Sequence, residues 1–420
     1  MASRTSVAVV GTFDTKLQEH LYLRSQILSH DPSINVILID AGRTATEHEA
    51  ITIKQSDVLK ASGYAGDDDA FNTLSRGDVV KIMIDGAVSV IDQLHDRGEF
   101  HAIVGLGGSS GTSIAAAVMR QLPLTFPKLI ISTVASGDTK FYVAETDITM
   151  MYSVVDIAGL NQVLKAVVDN AAAAIVGMAK VYVARIKRGE SGNEKKVIGI
   201  TMFGVTTKGA DAARMWLERN GFEVCVFHAT GAGGCAMERL VKEGRIHGVL
   251  DLTTTELADD LVGGVFPAGS DRLTVAAKAG VPQIVSVGAL DMVNFGAMNT
   301  VPSQFRKRNL VEHNPSVTIM RTTSEECADL GNMIAKRLRE NTIKPQLIEV
   351  WLPLRGISML AVEGQAFHDE VADAALFTAI TNGLEGTGIK VVEVDADINN
   401  TKWAERVARR LAELIQLPSD

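Results

Sequence analysis

Short apolar runs alternate with longer stretches of helical period along the whole chain. That alternation predicts parallel strands with helices packed on both faces of a sheet. In the first half, Val7–Val10, Asn35–Asp40, His101–Val104 and Lys128–Thr133 read as strands. Leu17–His30, Asp78–Arg97 and Ser113–Gln121 read as helices, and Gly11–Lys16 as a loop. The stretch 44–69 is polar with weak period, and the pattern assigns it no element. Ala171–Val183 is apolar but short, and reads as a buried helix.

A polar stretch from Lys187 to Lys196 interrupts this pattern, with Gly189, Ser191, Gly192 and Asn193 among alternating charges. Such composition predicts a linker over 189–196, between a domain at 1–188 and another at 197–420. The pattern then restarts with strands at Val197–Ile200, Glu223–His228, Gly248–Leu252 and Pro282–Val287. Helices are predicted at Thr206–Asn220 and Ala236–Glu243. The fold class is therefore α/β, with two Rossmann-like parallel-sheet domains facing across a cleft.

Composition narrows the function. The 420 residues exceed one typical core. A net charge of -9 argues against a protein that grips nucleic acid through a basic surface. Cys225, Cys235 and Cys327 form no CxxC pair, which speaks against a zinc knuckle or disulfide framework. The first residues lack the basic start and long apolar stretch of a signal peptide, so a cytoplasmic protein without a membrane partner is expected.

Candidate chemistry gathers where strands should end. Gly105-Leu-Gly-Gly-Ser-Ser-Gly-Thr112 follows a strand and opens a helix. Backbone N–H groups at Gly107, Gly108 and Gly111 could approach an anion closely, and Ser109, Ser110 and Thr112 add hydroxyls. The plain alternative is a tight turn with no ligand. In the first loop, Gly11, Thr12 and Thr15 suit phosphate, and Lys16 could pair with it. Asp14 could hold Mg²⁺, bond a ribose hydroxyl, or cap the following helix. Asp40 ends the second strand, where an acid binds ribose hydroxyls in dinucleotide folds, though a turn Asp is the alternative. Thr133, Ser136 and Gly137 end a further strand and suit a phosphate or base edge. In the second half, His228 and Glu256 are candidate acid–base partners, with Asp291 to orient them.

These loops together resemble one family. The stretches that carry the likeness are Gly11-Thr-Phe-Asp-Thr-Lys16, Val104-Gly-Leu-Gly-Gly-Ser-Ser-Gly-Thr-Ser113 and Ile130-Ile-Ser-Thr-Val-Ala-Ser-Gly137. Ser153-Val-Val-Asp-Ile157 continues it, and Thr201-Met-Phe-Gly-Val-Thr-Thr207, Leu250-Asp-Leu-Thr-Thr-Thr-Glu256 and Ser286–Gly296 extend it through the second half. The chain is similar to the ATP-binding N-terminal region of the tomato tobamovirus-resistance protein, whose family is widespread in bacteria and fungi. The resemblance implies two subdomains, ATP on the first, and self-association as a homodimer. It supplies no reaction, and the antiviral role is not carried over. Two readings follow. One is an enzyme that uses ATP and Mg²⁺ on a small molecule held in the interdomain cleft, with phosphoryl transfer as the natural chemistry. The other is a non-catalytic, nucleotide-dependent binding protein.

Overall fold

The computed structural model describes residues 4–189 and 195–416. The chain divides into two compact units, Met1–Gly192 and Asn193–Asp420. Most of the linker predicted at 189–196 lies outside the described residues.

In the first unit the elements run β1 Ser6–Gly11, α1 Phe13–His30, β2 Asn35–Asp40, β3 Ile51–Ile53, α2 Gln55–Ala61 and α3 Asp68–Thr73. They continue with α4 Arg76–Asp96, β4 Ala102–Gly107, α5 Ser109–Gln121, β5 Lys128–Ser132, α6 Lys140–Val143, β6 Thr149–Tyr152 and α7 Gln162–Lys187. All six strands are parallel, in the order β3-β2-β1-β4-β5-β6. Both faces of the sheet are covered, which is why its strands read as unbroken apolar runs. Val7, Val9 and Leu38 pack on α1 and α7. Ala8, Val10 and Ile39 pack on the opposite side with Met83 of α4 and Ile114 of α5.

Three first-unit expectations need correction. The loop at Gly11–Lys16 is shorter, because α1 already starts at Phe13 and bends at Lys16. The glycine-serine loop shrinks to Gly108, because β4 runs to Gly107 and α5 starts at Ser109. The unassigned stretch holds β3, α2 and the start of α3. The apolar run at Ala171–Val183 is part of α7, long and apolar enough by composition to cross a membrane. Leu164, Val168, Ala172 and Ile175 bury one face of that helix in the sheet's core.

The second unit starts β7 Val197–Met202, α8 Thr207–Arg219, β8 Glu223–His228, α9 Ala232–Lys242, β9 Gly248–Thr253, α10 Glu256–Val262, α11 Val275–Ala279 and β10 Gln283–Gly288. It continues β11 Met292–Phe295, β12 Leu310–Asn314, β13 Val317–Arg321, α12 Ser324–Asn341, β14 Ile348–Pro353, α13 Glu370–Leu384, β15 Lys390–Val394 and α14 Thr401–Gln416. Its main sheet is parallel, in the order β15-β14-β10-β9-β7-β8. Strands β11, β13 and β12 form a small antiparallel sheet inserted after β10. Helix α9 starts at Ala232, four residues earlier than the pattern predicts.

Both units are doubly wound, but differently. The first follows the order of dinucleotide-binding folds and reverses direction between β1 and β4. The second has its first strand, β7, between β8 and β9, as in flavodoxin-like sheets. At such a reversal the flanking loops leave on opposite faces, and a crevice opens beyond the strand ends.

Candidate functional site

The first-unit crevice lies between Gly11, the last residue of β1, and Gly107, the last of β4. A Cβ on Gly107 would sit 2.8 Å from the Cα of Gly111, so the strand-to-helix turn itself needs that glycine. Gly108 is different. It has φ -75° and ψ -161°, which other residues adopt, and a Cβ there would meet only Thr133 Oγ1 at 3.8 Å. The chain's own packing does not demand glycine at this place. Gly108 is the N-cap of α5, and no side chain caps the helix. The result is an N-terminus of a 13-residue helix whose first N–H groups lie open beside the crevice.

The hydroxyls around it divide by role. Thr112 is buried and bonds Ser132 Oγ at 2.7 Å and Gly107 O at 3.3 Å, so it fixes the turn. Ser109, Ser110 and Thr133 keep some exposure beside Gly108, and Ser136 and Gly137 are exposed. Arg76, first residue of α4, donates to Ser110 Oγ at 3.0 Å. The sequence pattern missed Arg76, because 34 residues separate the pair and only the fold joins them.

Across the crevice stand two carboxylates. Asp40 is fully buried, and its Oδ1 accepts from Phe13 N at 3.1 Å and Gly42 N at 2.9 Å. It therefore supplies the cap of α1 from a neighbouring strand. Asp14 does not cap α1 but lies in its first turn, with Oδ2 accepting from Arg43 N and Thr44 N. Asp40 Oδ2 and Asp14 Oδ1 are buried atoms with no hydrogen-bond partner. Burial pushes the Asp40 carboxyl up to about 6; the Gly42 and Phe13 N–H groups oppose this, and the Asp14 charge adds to it. His20 lies against the end of β1, where a Cβ on Gly11 would fall 1.9 Å from its Nε2. Its Nδ1 bonds Lys16 O at 2.7 Å, and burial lowers its pKa to about 4.

Lys16 stands apart from the phosphate role the sequence suggests. Its Nζ donates to Ile157 O, while Glu19 of the same helix accepts from Gly159 N at 2.7 Å. Together they hold the segment between β6 and α7. That segment contains a turn in which Val155 N bonds Ser153 O at 2.7 Å, with Val154 at φ 65°. Thr12 and Thr15 share a hydroxyl contact of 3.3 Å at the start of α1.

In the second unit the three sequence candidates have separate surroundings. Glu256 is fully buried, and its Oε1 accepts from Gly231 N at 2.9 Å and Gly234 N at 3.1 Å. The N-terminus of α9 is thus filled by the protein's own carboxylate. Its Oε2 accepts from Arg272 Nε at 2.6 Å. Arg272 has no exposure and also meets Asp251 at 2.6 Å and Glu238 at 3.2 Å. Burial alone would lower the Arg272 pKa, but these carboxylates raise it. Burial and the Asp251 charge push Glu238 up to about 7, against the pull of Arg272. Asp291 bonds Ser358 Oγ at 2.7 Å, and burial raises its pKa to about 6. His228 is exposed and sets its ring edge-on to Phe203, 5.2 Å between centroids. Among the described residues no hydrogen bond joins any two of the three, so the acid–base arrangement expected from the sequence is not assembled here. Nor do the described residues hold a group of three or more His, Cys, Asp or Glu side chains suited to a metal.

Comparison with known proteins agrees with this architecture. Residues 5–184 match the N-terminal domain, and residues 195–415 the C-terminal domain, of the uncharacterised protein family UPF0261. A UPF0261 protein of Clostridium tetani is 42% identical over 410 residues, spanning 98% of this chain and 99% of that protein. The tomato (Solanum lycopersicum) ToMV resistance protein Tm-1(GCR237) is 37% identical over 423 residues, 97% of this chain and 55% of that protein. The tomato ToMV susceptible protein tm-1(GCR26) is 36% identical over the same length, with the same coverage of both chains.

Proposed function

The chain belongs to the UPF0261 family, and from that footing we propose that it is a nucleotide-binding protein whose first unit takes ATP with Mg²⁺. The observation that carries the reading is Gly108. It leaves open, uncapped backbone donors at a topological switch point, where nothing in the chain's own packing calls for glycine. Such an N-terminus is a ready site for a phosphate. Ser109, Ser110 and Thr133 border it and would add hydroxyl donors. Asp40 ends β2, the position from which an acid reaches a ribose in folds of this strand order, and its Oδ2 makes no hydrogen bond within the fold. The free Oδ1 of Asp14 fits a hard cation, which would neutralise phosphate charge when bound.

The second unit favours nucleotide-dependent binding over acid–base catalysis by His228, Glu256 and Asp291. Two of those three are buried: Glu256 is committed to Gly231, Gly234 and Arg272, and Asp291 accepts from Ser358 through one oxygen. The similar identity to a resistance and a susceptible tomato protein gives no ground for an antiviral role.

Calorimetry with ATP and Mg²⁺ on the wild type and on Gly108→Val tests the reading. A Cβ at this position meets only Thr133 Oγ1 at 3.8 Å, so loss of binding with unchanged melting supports the reading. Retained binding in the variant, or none in the wild type, overturns it. Phosphate release in the same samples separates an enzyme from a switch.

A further inference from the structure

The nucleotide reading leaves one charge unexplained. A polyphosphate bound at α5 needs a cation near the helix N-terminus, and the basic residues nearest the ends of β1 and β2, Lys16 and Arg43, are engaged elsewhere. Lys16 is tied to Ile157 O. The Arg43 guanidinium donates to the carbonyls of Asn72 and Leu74, where α3 ends.

Arg76 is the cation that stands at the site. Its Nη2 meets Ser110 Oγ in the first turn of α5. The nearest acid in sequence, Asp78, accepts from the hydroxyl of Ser75 at 2.7 Å. Among the described residues Arg76 makes no ion pair. An exposed arginine that orients toward a helix N-terminus is placed against the positive end of the dipole, which is unfavourable for the protein alone. An anion between the two removes the conflict. A second and independent sign of a ligand lies across the crevice. Asp40, with no exposure, keeps Oδ2 without a hydrogen bond at the end of β2, next to Gly11 of β1. A buried polar atom left unpaired is costly unless something else binds it.

We propose that Arg76 recognises the terminal phosphate of the nucleotide, so that the ligand class is a nucleoside di- or triphosphate and not a monophosphate. This rests on the nucleotide reading above. The α5 N–H groups take one phosphate, and Arg76, reaching from α4, takes the next. A planar guanidinium suits this task because it donates through a fork of N–H groups.

Titration of wild type, Arg76→Gln and Arg76→Ala with ATP, ADP and AMP, each with Mg²⁺, tests the proposal. A charge-assisted hydrogen bond to phosphate is worth about 1.5–3 kcal/mol, so the variants should bind ATP about tenfold or more weakly. AMP affinity should change less than about threefold, a selectivity that a merely structural role for Arg76 would not produce. Equal losses for ATP and AMP, or no loss for ATP, overturn the assignment while leaving nucleotide binding intact. Failure of the wild type to bind any of the three would sink the underlying reading itself.

Discussion

Glu256 Oε2 and Arg272 Nε lie 2.6 Å apart with neither residue exposed, and the same carboxylate caps the N-terminus of α9 through Gly231 and Gly234. The turn after β8 is glycine-rich, and its anion is built in. That one carboxylate distinguishes the helix N-termini of the two units. The helix N-terminus at Gly108 is open, and the one at Gly231 is filled. A Cβ on Gly234 would lie 2.5 Å from the Glu256 oxygens, so this glycine serves an internal contact.

Removal of Arg272 should therefore unfold more than a surface ion pair would. Arg272→Ala strands Glu256, Asp251 and Glu238 in a dry interior, each deprived of its counter-charge. Breaking a buried pair in this way costs about 3–5 kcal/mol. Urea denaturation of the full chain should show that loss in the second unit. A change under about 1 kcal/mol would mean that water or protonation already satisfies the carboxylates.

Gly11 and His20 make a second coupled pair. Gly11→Ala drives a methyl group into the imidazole, and overpacking of this kind costs about 1–3 kcal/mol. His20→Ala should remove most of that penalty, so a double-mutant cycle on chemical denaturation should show strong non-additivity. Additive losses would place the strain of Gly11→Ala in the backbone instead.

The buried acids give a pH dependence of stability with a definite sign. Asp259 and Asp291 are each raised to about 6, by burial in both cases. Each binds its proton more tightly folded than unfolded. The stability each contributes is complete below an unfolded pKa near 4 and is lost as pH rises through about 6. His20, lowered to about 4, acts in the opposite sense between pH 4 and 6.5. Asp291→Asn removes one proton-linked cost while the amide oxygen can still accept from Ser358. Between pH 5 and pH 8 the variant should lose less stability than the wild type, by about 1–3 kcal/mol. Parallel curves would show that Arg321, which faces Asp291, keeps that carboxylate ionised throughout.

Strands β1, β2, β4, β5, β9 and β10 were legible in the sequence because they are buried on both faces. Val7–Val10 is apolar throughout for that reason. Strands β7 and β8 were legible as apolar runs, whereas β6, β14 and β15 were not legible as strands. The starts of α1 and α5 were not legible either, because no adjacent side chain caps either helix. Phe13 N is held by Asp40, 27 residues away, and α5 starts behind a bare glycine. The polar stretch 44–69 hid β3 and α2, which are too short to show a period. The crevice loops of the first unit were legible as glycine after strand. Arg76 and Arg272 were not, since each meets its partners only through the winding of the sheet. The inserted strands β11, β12 and β13 also escaped notice, as Asp259 bonds Asn294 N at 2.8 Å to seat them from a distant helix.

Asp40 offers the sharpest test of how the nucleotide lies. Its carboxyl is raised to about 6 by burial, against the N–H groups of Gly42 and Phe13; the Asp14 charge adds to the rise and the Thr46 N–H opposes it, while Oδ2 itself makes no hydrogen bond within the fold. If Oδ2 accepts a ribose hydroxyl, binding requires the ionised form, and that form is lost as pH falls through 6. ATP affinity should then drop by about tenfold for each unit below that point. Asp40→Asn cannot titrate and keeps an oxygen for the N–H groups of Phe13 and Gly42. The phosphates of ATP titrate in the same range, but equally for both proteins. The ratio of wild-type to variant affinity from pH 7.5 to 5 therefore isolates Asp40. A ratio that falls toward acid supports the ribose contact. A constant ratio would assign Asp40 solely to capping α1, and would move the sugar away from the end of β2.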